Sequence, residues 1–123
     1  MPGEKINSMV VAILLLGLLL QCGPAQAKTY YVGDSNGWDY NADEWLEGKS
    51  FKAGDILVFK YPKNDHNVAV VDKANYRSCN APPNAKIYAS GNDMVTLKKG
   101  ENYFICTFQD HCGFGMKIAA YAA

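Results

Sequence analysis

Cys106, His111 and Met116 stand at even gaps near the C-terminus, as C-x4-H-x4-M. The chain has one other histidine, His66, 45 residues before His111. Two imidazoles, one thiolate and one thioether join borderline nitrogen to soft sulfur. That set favours copper over magnesium, calcium or manganese, which prefer oxygen ligands. Two His and one Cys around copper, with a weak axial Met, suit electron transfer and imply no open position for a substrate. Each residue alone has a plainer reading: His66 as a hydrogen-bonded core histidine, Met116 as a gap-filling side chain. Jointly they point to ligation at His66, Cys106, His111 and Met116. A zinc site would use the Cys and His but not the thioether. A Cys106 nucleophile with His111 as its base leaves His66 and Met116 unused. The expectation is therefore a copper-binding carrier of single electrons, not an enzyme.

Such a site needs a frame. Cys106 is expected to end one strand and Met116 to begin the next, with His111 at the tip of the loop between them. His66 must arrive from a separate strand, so the fold itself completes the set. Asn67 either ties its strand to the Cys106 loop by a hydrogen bond that supports the site or is a surface turn residue. Asp110 beside His111 should favour the more highly charged state of the metal. Phe114 either shields the site or offers an exposed contact.

The rest of residues 28–123 reads as β-structure. Thr29–Val32 is a β-branched and aromatic run closed by Gly33-Asp34-Ser35-Asn36-Gly37. Phe51–Tyr61 carries apolar residues on both faces, as a strand inside a sandwich does. Val68–Val71, Met94–Leu97, Asn102–Phe108 and Met116–Tyr121 are further strands, and Lys98-Lys99-Gly100-Glu101 reads as a hairpin turn. Strands punctuated by turns predict a sandwich or barrel. Helix is confined to one turn at Asp43–Glu47, stopped by Gly48. Pro82-Pro83 makes Asn80–Lys86 a loop or extended segment. Trp38, Trp45, Phe51, Phe59 and Phe104 are the expected core aromatics. No internal repeat and no Asn-x-Ser/Thr sequon is present.

The chain has 123 residues, 49% of them hydrophobic and 20% charged, which fits one globular domain rather than a disordered chain. Twelve basic residues balance twelve acidic ones. This neutrality argues against a nucleic-acid or polybasic membrane-surface role. Residues 1–27 read as a secretory signal peptide: a charged start at Lys5, an apolar run Met9–Leu20, then Ala25-Gln26-Ala27. The run is shorter than the roughly 20 residues of a membrane span; a retained anchor is the alternative. Removal of the leader takes Cys22 with it and leaves Cys79, Cys106 and Cys112. Three is odd, and an oxidising compartment would pair two of them. If Cys106 holds a metal, Cys79 and Cys112 remain to pair. On the spacing alone, Cys106 with Cys79 and Cys106 with Cys112 stay open.

Across residues 28–123 the chain resembles the phytocyanins, small blue copper proteins of plants, and within them the plantacyanins or basic blue proteins. The resemblance is carried by Tyr31-Val32-Gly33-Asp34 with Gly37-Trp38, by Phe51-Lys52-Ala53-Gly54-Asp55, and by His66-Asn67-Val68. It continues through Tyr76-Arg77-Ser78-Cys79, Gly100–Cys106, His111-Cys112 and Gly115–Ala119. It implies a cupredoxin-like Greek-key β-sandwich or barrel with one or two short helical turns. It also implies a type 1 copper held by His66, Cys106, His111 and Met116, and a Cys79–Cys112 disulfide. Met116 marks the plantacyanin group, since stellacyanins carry Gln there. The chain stops at Ala123 without a Pro/Ser-rich stalk or hydrophobic tail, which implies a freely secreted, apoplastic or cell-wall protein. A monomer is expected, with a small redox molecule or an extracellular oxidase as redox partner. An alternative is an extracellular signalling or wall-interaction role in reproduction or development, with copper partly structural. Two departures stand out. Gln109-Asp110 occupies the place of the family's usual Pro-Gly before the ligand His, and the chain is neutral where its subgroup is basic.

Overall fold

The computed structural model describes residues 26–123; the expected leader, residues 1–27, lies outside the described part except for its last two residues. Seven strands form two sheets that face each other. The first holds β1 (Thr29–Tyr31), β2 (Ile56–Lys60) and β5 (Asn92–Thr96), with β1 parallel and β5 antiparallel to β2. The second runs β4 (Lys86–Tyr88), β3 (Val68–Val71), β6 (Gly100–Ile105), β7 (Lys117–Ala122), antiparallel throughout. Phe51 and Ala53 join the chain's end, where the Ala123 N–H donates to the Phe51 carbonyl and the Ala53 N–H to that of Ala123.

Alternation fixes which side chains enter the core. Along β5 only Asp93 and Val95 are buried; along β7, Ile118, Ala120 and Ala122 are. β2 buries Leu57, Val58 and Phe59, in keeping with a strand covered on both faces. Trp38, Phe59 and Phe104 meet at the centre, with ring centroids 5.0 Å and 5.2 Å apart along that chain of contacts. Full burial of each large apolar side chain contributes about 1.5–3 kcal/mol. Trp45 departs from the expected core role. It is half-buried at the core margin, and its indole N–H donates to Asp34 Oδ1.

Two further departures concern connections. The Lys98–Glu101 segment is not a hairpin between paired strands. β5 pairs with β2 in one sheet, whereas β6 pairs with β3 and β7 in the other, so the segment crosses between layers. The turn itself closes locally, because the Asn102 side chain accepts from the Lys98 N–H and donates to the Lys98 carbonyl. Beyond it the strands diverge, so that Val95 and Phe104 both enter the main core, from different sheets. The second departure is a helix, α2 (Lys73–Ser78), which follows α1 (Ala42–Trp45) in chain order. Asp72 caps α2 by accepting the Asn75 N–H at 2.8 Å. The helix ends at Cys79, whose left-handed backbone (φ 58°) turns the chain back toward the sheet.

A candidate metal centre at one end of the sandwich

β6 and β7 bring the C-x4-H-x4-M run together. Their ladder extends one step beyond the named strands, since the Cys106 N–H donates to the Met116 carbonyl at 3.0 Å. The Met116 N–H in turn donates to the His111 carbonyl at 3.0 Å, folding the loop back on itself. Gly115 makes that return possible. Its φ is 86°, and a Cβ there would lie 2.9 Å from Asp43 Oδ1 and 3.0 Å from the Asn41 nitrogen. The start of α1 sits against this loop, with the Asn41 N–H donating to the Phe114 carbonyl.

The Cys79–Cys112 disulfide pins the same loop from the other side, joining the end of α2 to the residue after His111 with a Cα separation of 5.7 Å. Cys106 is the free cysteine among the described residues, and it is buried. The two alternative pairings that the spacing left open are thereby excluded.

Into this frame β3 delivers His66, two residues before Val68. His66 Nδ1 lies 3.1 Å from His111 Nδ1, and Cys106 Sγ lies 3.5 Å from the same His111 nitrogen. One donor atom from each of His66, Cys106 and His111 falls within 4.8 Å of the others. A divalent ion such as zinc sits about 2.0–2.1 Å from imidazole nitrogen and about 2.3 Å from thiolate sulfur. Donors sharing one such ion therefore stand roughly 3–4 Å apart, as His111 does from His66 and from Cys106. The soft and borderline chemistry of the set fits copper. Met116, fully buried, lies on the backbone directly opposite Cys106.

The centre is graded from buried to exposed. Cys106 is 1% and Met116 0% exposed, His66 is 9%, and His111 is half-exposed. Burial pushes the Cys106 thiol up, partly offset by backbone N–H groups of Asn67 and Phe108 that lower it. Burial and the neighbouring His111 push His66 down, against the upward pull of Asp39 and Asp65. Burial and His111 both favour the neutral imidazole that a metal ligand needs.

Asn67 is the tie between strands, not a surface turn residue. Its side chain donates to Thr107 Oγ1 at 2.7 Å and accepts the Thr107 N–H at 2.8 Å. Its carbonyl accepts the Trp38 indole N–H at 2.8 Å. The segment that carries His66 is therefore fastened to both the Cys106 loop and the core. Asp110 is exposed, with a left-handed backbone (φ 67°).

A carboxylate from outside the ligand loop also approaches a candidate donor: Asp39 Oδ1 lies 3.9 Å from His66 Nε2. Nothing in the spacing of Asp39 signalled this. Tyr40 also escaped the sequence reading. It is 46% exposed and sets its ring edge-on to His111 at 5.2 Å and to Phe114 at 5.7 Å. Phe114 itself is 62% exposed, so it is a surface contact and not a buried shield.

A family model described as a plastocyanin-like domain matches residues 35–116 of the chain. The chain belongs to the phytocyanins. Within that family it is 50% identical to the basic blue protein of Arabidopsis thaliana over 116 residues, covering 94% of this chain and 90% of the relative. It is 43% identical to the chemocyanin of Lilium longiflorum over 121 residues, covering 98% and 96%. Among solved structures, cucumber basic protein, a blue copper protein, superposes with a TM-score of 0.76 at 50% identity, covering 77% of this chain and 99% of that one. Spinach plantacyanin gives 0.69 at 49% identity over 77% and 99%. These likenesses support the plantacyanin group and the cupredoxin-like fold. His66, Cys106 and His111 can form a phytocyanin's copper site.

Proposed function

We propose that this phytocyanin is a secreted one-electron carrier whose copper is held by His66, Cys106 and His111, with Met116 as the axial ligand. The observation that carries the proposal is the convergence, within 4.8 Å, of one imidazole nitrogen from the segment before β3 with a second imidazole nitrogen and a buried thiol from the loop between β6 and β7. Copper, when bound, supplies the chemistry by alternating between two oxidation states. The protein's part is to hold one donor arrangement through that change. The disulfide, the Asn67–Thr107 bonds and the Gly115 turn all restrain the donors. Four donors to one copper would leave no open position for a substrate, which supports a carrier rather than an enzyme.

The gradient of exposure supports His111 as the electron's port. It is the half-exposed donor, and Tyr40, Phe108 and Phe114 surround it with exposed ring surface. Such a face suits brief contact with a small redox molecule or an extracellular oxidase. The apolar run Met9–Leu20 and the disulfide support export to an oxidising compartment, the apoplast or cell wall. The protein acts as a monomer on this reading.

Repeated cycling tests the carrier role. Copper-loaded protein should be fully reduced by ascorbate and reoxidised by ferricyanide, one electron per chain, without loss over many cycles. Uptake of more than one electron, or loss of copper on first reduction, would overturn it.

A further inference from the structure

We propose that the open side of the sandwich, between the edge strands β4 and β5, is a binding groove for a small amphipathic carboxylate. β4 ends one sheet and β5 ends the other, and they are not hydrogen-bonded to each other. The gap between them is a cavity of about 550 Å³, within the size range of small-molecule sites. Its floor is apolar, made by Val70, Val95 and Phe104, and Tyr88 and Tyr103 line it further.

Three lysines give the groove its sign. Lys86, Lys98 and Lys99 line it, against a single acidic residue, Glu101. The chain as a whole is neutral, so this is a local excess of positive charge. Among the described residues, none of the three has a carboxylate within 4.0 Å of its ammonium group.

Lys86 is the informative one. It stands opposite Val70, which stands opposite Phe104, so all three project from the same side of the sheet. Phe104 is fully buried on that side, whereas Lys86, on the edge strand, is exposed, so it stands at the rim of the groove. Lys86 Nζ lies 5.2 Å from the Tyr88 ring centroid. A charged lysine on an edge strand can serve to block strand addition. That role does not account for Lys98 and Lys99, which reach the same groove from another part of the chain.

Ammonium groups without carboxylate partners, beside an apolar lining, complement a ligand with one anionic end and a ring or short aliphatic body. Gly100, which follows Lys99, stands roughly 20 Å of strand from Cys106. The groove's charged end is thus separate from the metal centre, and its test does not depend on copper.

The experiment is an amide NMR titration of the ascorbate-reduced protein with 2-naphthoate, and in parallel with its neutral counterpart 2-naphthamide. The expected result is saturable shifts at the amides of Val70, Tyr88, Val95 and Phe104 with 2-naphthoate. Binding should be roughly tenfold weaker for 2-naphthamide, and likewise for the Lys86→Gln/Lys98→Gln/Lys99→Gln variant. If that triple variant does not fold, Lys98→Gln and Lys99→Gln singly provide the comparison and should each weaken 2-naphthoate. No saturable shifts, shifts centred elsewhere, or equal affinity for both probes would overturn the proposal. So would lysine variants that bind as well as the parent.

Discussion

Asn67 and Thr107, 40 residues apart, exchange two hydrogen bonds across the gap between the strand that brings His66 and the loop that begins at Cys106. The same Asn67 lends its backbone N–H to the Cys106 sulfur. One residue therefore fixes the distance between two candidate donors and helps to stabilise the thiolate that one of them must become.

Removing that side chain should loosen both. Asn67→Ala leaves Thr107 without its partners and should destabilise the protein by about 1–3 kcal/mol. The visible spectrum of the copper-loaded variant should broaden or shift. Urea unfolding and absorption spectra of the pair of proteins check this; an unchanged spectrum and midpoint would contradict the role given to Asn67.

The disulfide should matter more to stability than to metal chemistry. Cys79→Ala/Cys112→Ala opens a link that spans 33 residues, and loss of a native disulfide in a small secreted domain costs about 2–5 kcal/mol. The expected outcome is a lower urea midpoint at matched copper loading, with the blue colour retained. A midpoint equal to the parent's would show that the loop is held by its hydrogen bonds alone.

Met116 supplies a test of the axial position. Met116→Gln replaces a thioether by an amide oxygen, which favours the oxidised ion. The reduction potential should fall. Cyclic voltammetry giving the same potential for both proteins would argue that Met116 is core packing only.

The stability of the copper-free protein should depend on pH. His66 is held below its ordinary pKa by burial and by His111, so the unfolded chain binds a proton that the folded chain refuses. The stability this contributes is present above about pH 6.5 and is lost as pH falls through and below that value. Cys106 and Tyr61 are both held above their ordinary values, mainly by burial. Their contributions are present below the ordinary thiol and phenol pKa values and are lost as pH rises past them. Urea midpoints of the copper-free protein should therefore be highest near neutral pH and fall on both sides. A midpoint that rises between pH 7 and pH 5 would contradict the assignment for His66.

Much of this was visible in the chain before any fold. The C-x4-H-x4-M spacing and the lone distant His66 announced a shared site because few other roles need those four types together. The doubly apolar run within Phe51–Tyr61 and the segment Met116–Tyr121 announced strands. What stayed hidden depends on three-dimensional proximity. Asp39 approaches His66, and Tyr40 packs on His111, through the path of the chain after Trp38, which no local pattern encodes. The six residues of α2 are too few to establish a helical period, although Asp72 three residues before Asn75 was a capping signal in retrospect. The Lys98–Glu101 turn looked like a hairpin because its local chemistry is that of a turn. Which sheet each flanking strand joins is decided by distant partners, Phe59 against Asp93 on one side and Val70 against Phe104 on the other.

The most direct test of the central claim is the visible spectrum of purified protein given one equivalent of Cu(II), for the parent and for Cys106→Ser. The parent should show an intense blue band from sulfur-to-copper charge transfer, and the band should be lost completely when the sulfur is replaced by oxygen. A colourless parent, or a band that persists in Cys106→Ser, would contradict that claim.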